Sequence, residues 1–131
     1  REPEEALPWE KRLSSLAAEL AGEEREFIIA IHVRKNGTVI ATDFISYGGP
    51  DGAFLDVKYF LRRAVRLDSS GLVLVHNHPD GSLRPSREDR MLTDYLVGRT
   101  KMLDIRFLGH YVAADGEYAS IQLPAGLESG D

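Results

Sequence analysis

The chain contains no cysteine among its 131 residues. That excludes disulfides and thiolate metal ligands, and it fits an intracellular site built from nitrogen and oxygen donors. No apolar run reaches membrane-spanning length, and no signal peptide, internal repeat or low-complexity tract is visible. The first residue is Arg, which leaves a removed leader open. A basic excess is also missing: 16 Lys and Arg stand against 21 Asp and Glu, a net charge of −5. This argues against a large nucleic-acid surface, which is usually basic. The expected location is the cytoplasm, with no membrane partner. The hydrophobic fraction of 43% and charged fraction of 28% are ordinary for one soluble domain, and the length suffices to bury a core.

Periodicity divides the chain simply. Residues 1–8 read as an acidic, Pro-punctuated lead-in. Leu13, Leu16, Ala17 and Leu20 recur at helical spacing and predict an amphipathic helix from Trp9 to Leu20. Phe27 to Val33 reads as an apolar strand. Asn36-Gly37 is a two-residue hairpin signal, with Thr38 to Ile45 as the return strand. Tyr47 to Ala53 is a Gly-rich loop. Asp56 to Leu67 predicts a helix, with Val57, Phe60, Leu61, Ala64 and Val65 on one face and Arg62, Arg63 and Arg66 outside. That basic face is read as solvated, with an acidic partner as the alternative. Gly71 to Val75 is a buried strand. A helix from Arg87 to Met102 carries Met91, Leu92, Tyr95 and Leu96. Phe107 to Ala113 and Glu117 to Leu123 flank Asp115-Gly116 as a second hairpin, and the tail from Pro124 is polar and flexible. Hairpins alternating with helices imply an α/β domain with a mixed β-sheet and flanking helices.

The chemistry concentrates where the third strand ends. His76-Asn77-His78-Pro79 places two imidazoles two residues apart, and Asp89 follows eleven residues after the second. Residues i and i+2 of an extended segment point to one side, so both rings can converge on one ion. Two His and one carboxylate form the ligand set of an open zinc site, whose bound water ionises near neutral pH. The same three residue types also form the facial triad of non-haem Fe(II) oxygenases. Ser86 opens the following helix as an N-cap, and Ser86-x-x-Asp89 doubles as a capping box. His32 and His110, each alone in a strand, read as structural residues.

Seven residues, Pro79 through Pro85, separate His78 from Ser86, and two more precede Asp89. This pattern resembles the JAMM (MPN+, or JAB) metallopeptidase family. Leu72-Val73-Leu74-Val75-His76-Asn77-His78-Pro79 followed by Pro85-Ser86-Arg87-Glu88-Asp89 resembles its bacterial RadC-type branch most closely, from about Arg25 to Ser120. Asn77 and the Asp115-Gly116 turn also suit that branch. Nothing corresponds to the N-terminal helix-hairpin-helix region that RadC-type proteins often carry. The resemblance implies a stand-alone JAB domain or a fragment of a longer protein. Residues 1–24 would form a lead-in and helix, 25–123 the catalytic domain, and 124–131 a flexible tail.

The resemblance also implies roles. His76, His78 and Asp89 would bind Zn²⁺. A Glu near the start of the first core strand, here Glu26, would take the proton from water and pass it to the leaving amine. The residues alone leave open that Glu26 merely ends the Glu23-Glu24-Arg25 charge run, and Asp43 competes for the same role. Ser86 would donate a hydrogen bond to the oxyanion. The implied substrate is an amide or isopeptide bond after the C-terminus of a ubiquitin-like protein or in its conjugates. Such deubiquitinase-like enzymes are encoded by bacteria beside ubiquitin-like conjugation or defence systems, whose proteins are the implied partners. The alternatives are a RadC-type DNA-associated protein without peptidase activity, and a catalytically silent scaffold.

Overall fold

The computed structural model describes residues 7–47 and 55–123. The acidic start, the body of the Gly-rich loop and the polar tail lie outside the described residues. Eight elements follow in order: α1 (Trp9–Leu20), β1 (Phe27–Val33), β2 (Val39–Tyr47), α2 (Val57–Arg66), β3 (Gly71–Asn77), α3 (Arg87–Met102), β4 (Arg106–Ala114) and β5 (Glu117–Ser120). The strands form one mixed sheet in the order β2-β1-β3-β4-β5. Only β3 and β4 run parallel, joined through α3, and every other neighbouring pair is antiparallel. A parallel pair needs such a crossover, and here the crossover carries Asp89 back over the end of β3.

Strand alternation divides the core into two layers. Ile29, Ile31 and Val33 of β1, with Val73 and Val75 of β3, pack under Leu13, Leu16, Ala17 and Leu20 of α1. Ile28 and Ala30, with Leu72 and Leu74, face Phe60 and Ala64 of α2 and Leu96 and Val97 of α3. Both faces of β1 and β3 are therefore covered, which is why these strands read as continuous apolar runs. The α/β architecture with flanking helices expected from the sequence is the one observed.

Two local readings, of Val65 and of the Asn36-Gly37 turn, need correction. Val65 is 56% exposed, because α2 buries only Phe60 and Ala64 fully. On α3, Met91 and Tyr95 face solvent, and the buried positions are Asp89, Thr93, Leu96, Val97 and Thr100. Asn36-Gly37 does not make a two-residue turn. Arg34 and Thr38 close a wider loop, with Gly37 alone at positive φ and its N–H donating to the Arg34 carbonyl. The Asn36 side chain accepts from the Thr38 N–H, so it shapes the loop without adopting the left-handed conformation. The second hairpin does use a tight turn, with Asp115 and Gly116 both at positive φ, although β5 ends at Ser120.

Candidate metal centre

The backbone of β3 delivers both histidines. His76 lies within the strand, and Ile28 opposite it is the last β1 partner in the antiparallel ladder. The β1 ladder ends at that point, and the His78 N–H donates to the Ala113 carbonyl of β4. Gly81, at φ +87°, then reverses the chain: its N–H donates to the His78 carbonyl, and a Cβ there would lie 3.0 Å from Asp115 Oδ2. The chain returns as α3, opened by a reciprocal capping box. The Asp89 N–H donates to Ser86 Oγ at 3.0 Å, and the Ser86 N–H donates to Asp89 Oδ2 at 2.8 Å. The cap thus fixes the carboxylate that the two histidines meet.

His76, His78 and Asp89 each bring one ligand-capable atom to within 4.8 Å of the others, a group that could hold a metal ion. His76 Nδ1 lies 2.6 Å from Asp89 Oδ1, and His78 Nε2 lies 3.0 Å from Asp89 Oδ2. Asp89 is 3% exposed. Burial works against its ionisation, but hydrogen bonds from His76, His78 and the Ser86 N–H outweigh it and hold the carboxyl far below the usual carboxylate range. Its bond to His78 is in turn the main cause raising the His78 imidazole above its ordinary pKa.

The His78 ring bears on what the site can hold. Its Nδ1 lies 3.0 Å from the Ser82 carbonyl, which can only accept, so Nδ1 carries the hydrogen. In the neutral ring, Nε2 is then a bare lone pair facing an ionised carboxylate oxygen. Two acceptors at that distance need a second proton or a cation to bridge them. A metal-ligating histidine commonly donates its other N–H to a backbone carbonyl in just this way. The N,N,O donor set and the tautomer of His78 therefore fit a divalent metal such as zinc.

Behind the ligands lies a buried support. The Thr93 hydroxyl donates to the Asp89 carbonyl at 2.9 Å and lies 2.7 Å from His110 Nδ1, so His110 donates to Thr93. The His110 ring stacks on that of His76, with centroids 6.5 Å apart. Burial pushes His110 down to about 3, so it stays neutral beside the cluster. Among the described residues, neither His76 Nε2 nor His110 Nε2 has a hydrogen-bond partner.

Glu26 and Asp43 are placed very differently. Glu26 lies just before β1, and its Oε2 is 3.6 Å from His76 Nε2. Asp43 lies in the middle of β2, opposite Ala30, and is bound to Arg63 and His32. Arg63 is thus part of a hydrogen-bonded pair rather than of a purely solvated face. The sequence reading missed three supports: Thr93, the Ser82 carbonyl and Asn77. Asn77 is buried, its Oδ1 accepting from the Phe27 N–H at 2.6 Å and its Nδ2 donating to the Arg25 carbonyl at 2.8 Å. Thr93 was within reach, since it stands four residues after Asp89 on the same helix face.

A family model, the RadC-like JAB domain, matches residues 8–126. The chain belongs to this family. The RadC-like JAB match begins just before α1, whose apolar face packs on the sheet that carries the site. Within the described residues, no helix is long and apolar enough to cross a membrane.

Proposed function

We propose that this RadC-like JAB domain is a zinc-dependent peptidase that hydrolyses the amide or isopeptide bond after the C-terminus of a ubiquitin-like protein. The observation that carries the reading is the convergence of His76, His78 and the buried Asp89 carboxylate within 4.8 Å, with the Glu26 carboxylate beside His76. Zinc held by His76, His78 and Asp89 would supply Lewis acidity, lowering the pKa of a water and polarising a carbonyl oxygen.

The chain's own residues do the rest. Glu26 accepts a proton from water and returns it to the departing amine, as general base and then general acid. Ser86 already accepts the Asp89 N–H, so its own hydrogen is available to donate to the oxyanion of the tetrahedral intermediate. Capping the helix and stabilising the oxyanion use different parts of one hydroxyl. For the substrate, β2 is the terminal strand of the sheet among the described residues, which supports an extended tail adding as a further strand at its Tyr47 end, where Tyr47 pairs with Phe27 next to Glu26.

The test is cleavage of a ubiquitin-like protein fused through its C-terminus to a reporter. Zinc-loaded wild type should cleave, chelation should abolish cleavage, and Glu26→Gln should lower kcat by about a hundredfold or more while zinc stays bound. Full activity in Glu26→Gln would remove Glu26 from the reading. An inactive zinc-loaded wild type that binds duplex DNA with a steep salt dependence would favour the DNA-associated alternative.

A further inference from the structure

The residue between the two histidines cannot join them on the metal, because strand alternation turns it off their face. Its side chain is nevertheless buried, and both ends of its amide are engaged. The two groups it binds are the Phe27 N–H and the Arg25 carbonyl, which bracket Glu26. The β1–β3 ladder stops at Ile28 and His76, one residue short of this point. From there the Asn77 amide stands in for the missing strand, offering one acceptor and one donor as a peptide group would. An amide side chain alone supplies both functions in that fixed geometry; a carboxylate can only accept, and a hydroxyl spans too little.

We propose that Asn77 is a positioning residue: by clamping the backbone on both sides of Glu26, it fixes the carboxylate beside the metal ligands. The proposal rests on the reading of Glu26 as the proton carrier. It also explains why an amide separates the two ligands. The strand that presents the histidines simultaneously locates the chain segment, 50 residues earlier, that must act with them. A displacement of about 1 Å in a reacting group can cost about a hundredfold in rate.

The experiment compares wild type, Asn77→Ala and Asn77→Asp in the full chain, with three readouts. Zinc affinity, by competition with a chromophoric chelator, should change by less than about threefold in either variant, since all three ligands remain. Turnover of the fusion substrate should fall by about a hundredfold in Asn77→Ala, in kcat rather than KM. Asn77→Asp, which can still accept from Phe27, should fall less. In the cobalt(II)-loaded protein, paramagnetic relaxation at the Glu26 carboxylate carbon should weaken in Asn77→Ala and stay unchanged at the ligand rings. Unchanged relaxation at Glu26, or a loss of metal affinity as large as the loss of turnover, would overturn the proposal. If zinc-loaded wild type cleaves nothing, the peptidase reading fails, and the cobalt measurement still decides whether Asn77 holds Glu26 in place.

Discussion

Two histidine–carboxylate clusters lie on the same face of the sheet, toward its opposite ends, and they are closed in different ways. At the far end, His32 is fully buried between Ser69, 2.9 Å from its Nδ1, and Asp43, 3.1 Å from its Nε2. Arg63 completes that group, with Nε 2.7 Å and Nη2 3.3 Å from the two Asp43 oxygens. Every polar atom of the imidazole is matched, and the carboxylate has its own cation. At the other end, the only salt-bridge partners of Asp89 among the described residues are His76 and His78. A buried carboxylate is costly unless a positive charge is near it. The far cluster carries its cation on α2, whereas the near cluster is a group that could hold a metal ion in that place. Similar residue types thus give a structural brace in one region and a candidate metal site in the other, and the arginine present at the first and absent from the second makes the difference.

The comparison can be broken most directly at Asp89. Asp89→Asn keeps an acceptor for the Ser86 N–H, so the fold should survive. Zinc affinity should fall by at least about a hundredfold, beyond what losing an outer-shell partner costs, as read by chelator competition. Retention of tight binding would sink the ligand assignment. Next in size is Asp43→Ala, which leaves His32 and Arg63 without their shared acceptor. It should lower stability by about 1–3 kcal/mol in a urea titration and leave zinc affinity unchanged. If metal binding fell as well, the two clusters would be coupled rather than independent.

Acidity sharpens the contrast with a smaller effect. Burial lowers the pKa of His32 and His110 from an ordinary value of 6.5, in the case of His110 to about 3. Below 6.5 the unfolded chain takes up protons that these two rings refuse in the fold. Their contribution to stability is therefore complete above that pH and is lost on acidification, at about 1.4 kcal/mol per pH unit per ring while both states differ in protonation. His78 runs the other way in the metal-free protein: its raised pKa adds stability in acid that disappears as pH rises through the folded value. Urea midpoints of metal-free wild type and His110→Asn between pH 7 and 5 should show a flatter decline in the variant. Parallel curves would mean that His110 is already protonated in the fold.

Much of this was legible in the residues themselves. The bounds of α1 and α3 follow from helical spacing and from Ser86 as a cap. The ligand trio follows from His-x-His at a strand end and from an acid in the first turn of the next helix. Local periodicity does not say how wide a buried stripe is, so Val65 was assigned to a face that the tertiary packing leaves in solvent. Nor does it reveal partners brought together by strand pairing. The bonds of His32 to Asp43 and Ser69, and of Asn77 to Arg25 and Phe27, join positions 11 to 52 residues apart. Resemblance to a family and the position before the first strand pointed to Glu26 over Asp43, while the distance of Glu26 from His76 and the binding of Asp43 to Arg63 and His32 are contacts that sequence spacing does not contain.

The separation along the chain has its own consequence for how the site is assembled. His76 and Asp89 stand only 13 residues apart, whereas Phe27, beside Glu26, is 50 residues from Asn77. Closing the longer loop costs about 1.2 kcal/mol more chain entropy, roughly 0.6 for each of two doublings. The ligand loop is thus a local unit that needs β3, α3 and their connection, while the union with Glu26 requires the β1–β3 pairing as well. On the proposed reading, metal capture and proton transfer depend on different extents of folded structure, so a chain frayed at β1 would hold its ion and lose its chemistry.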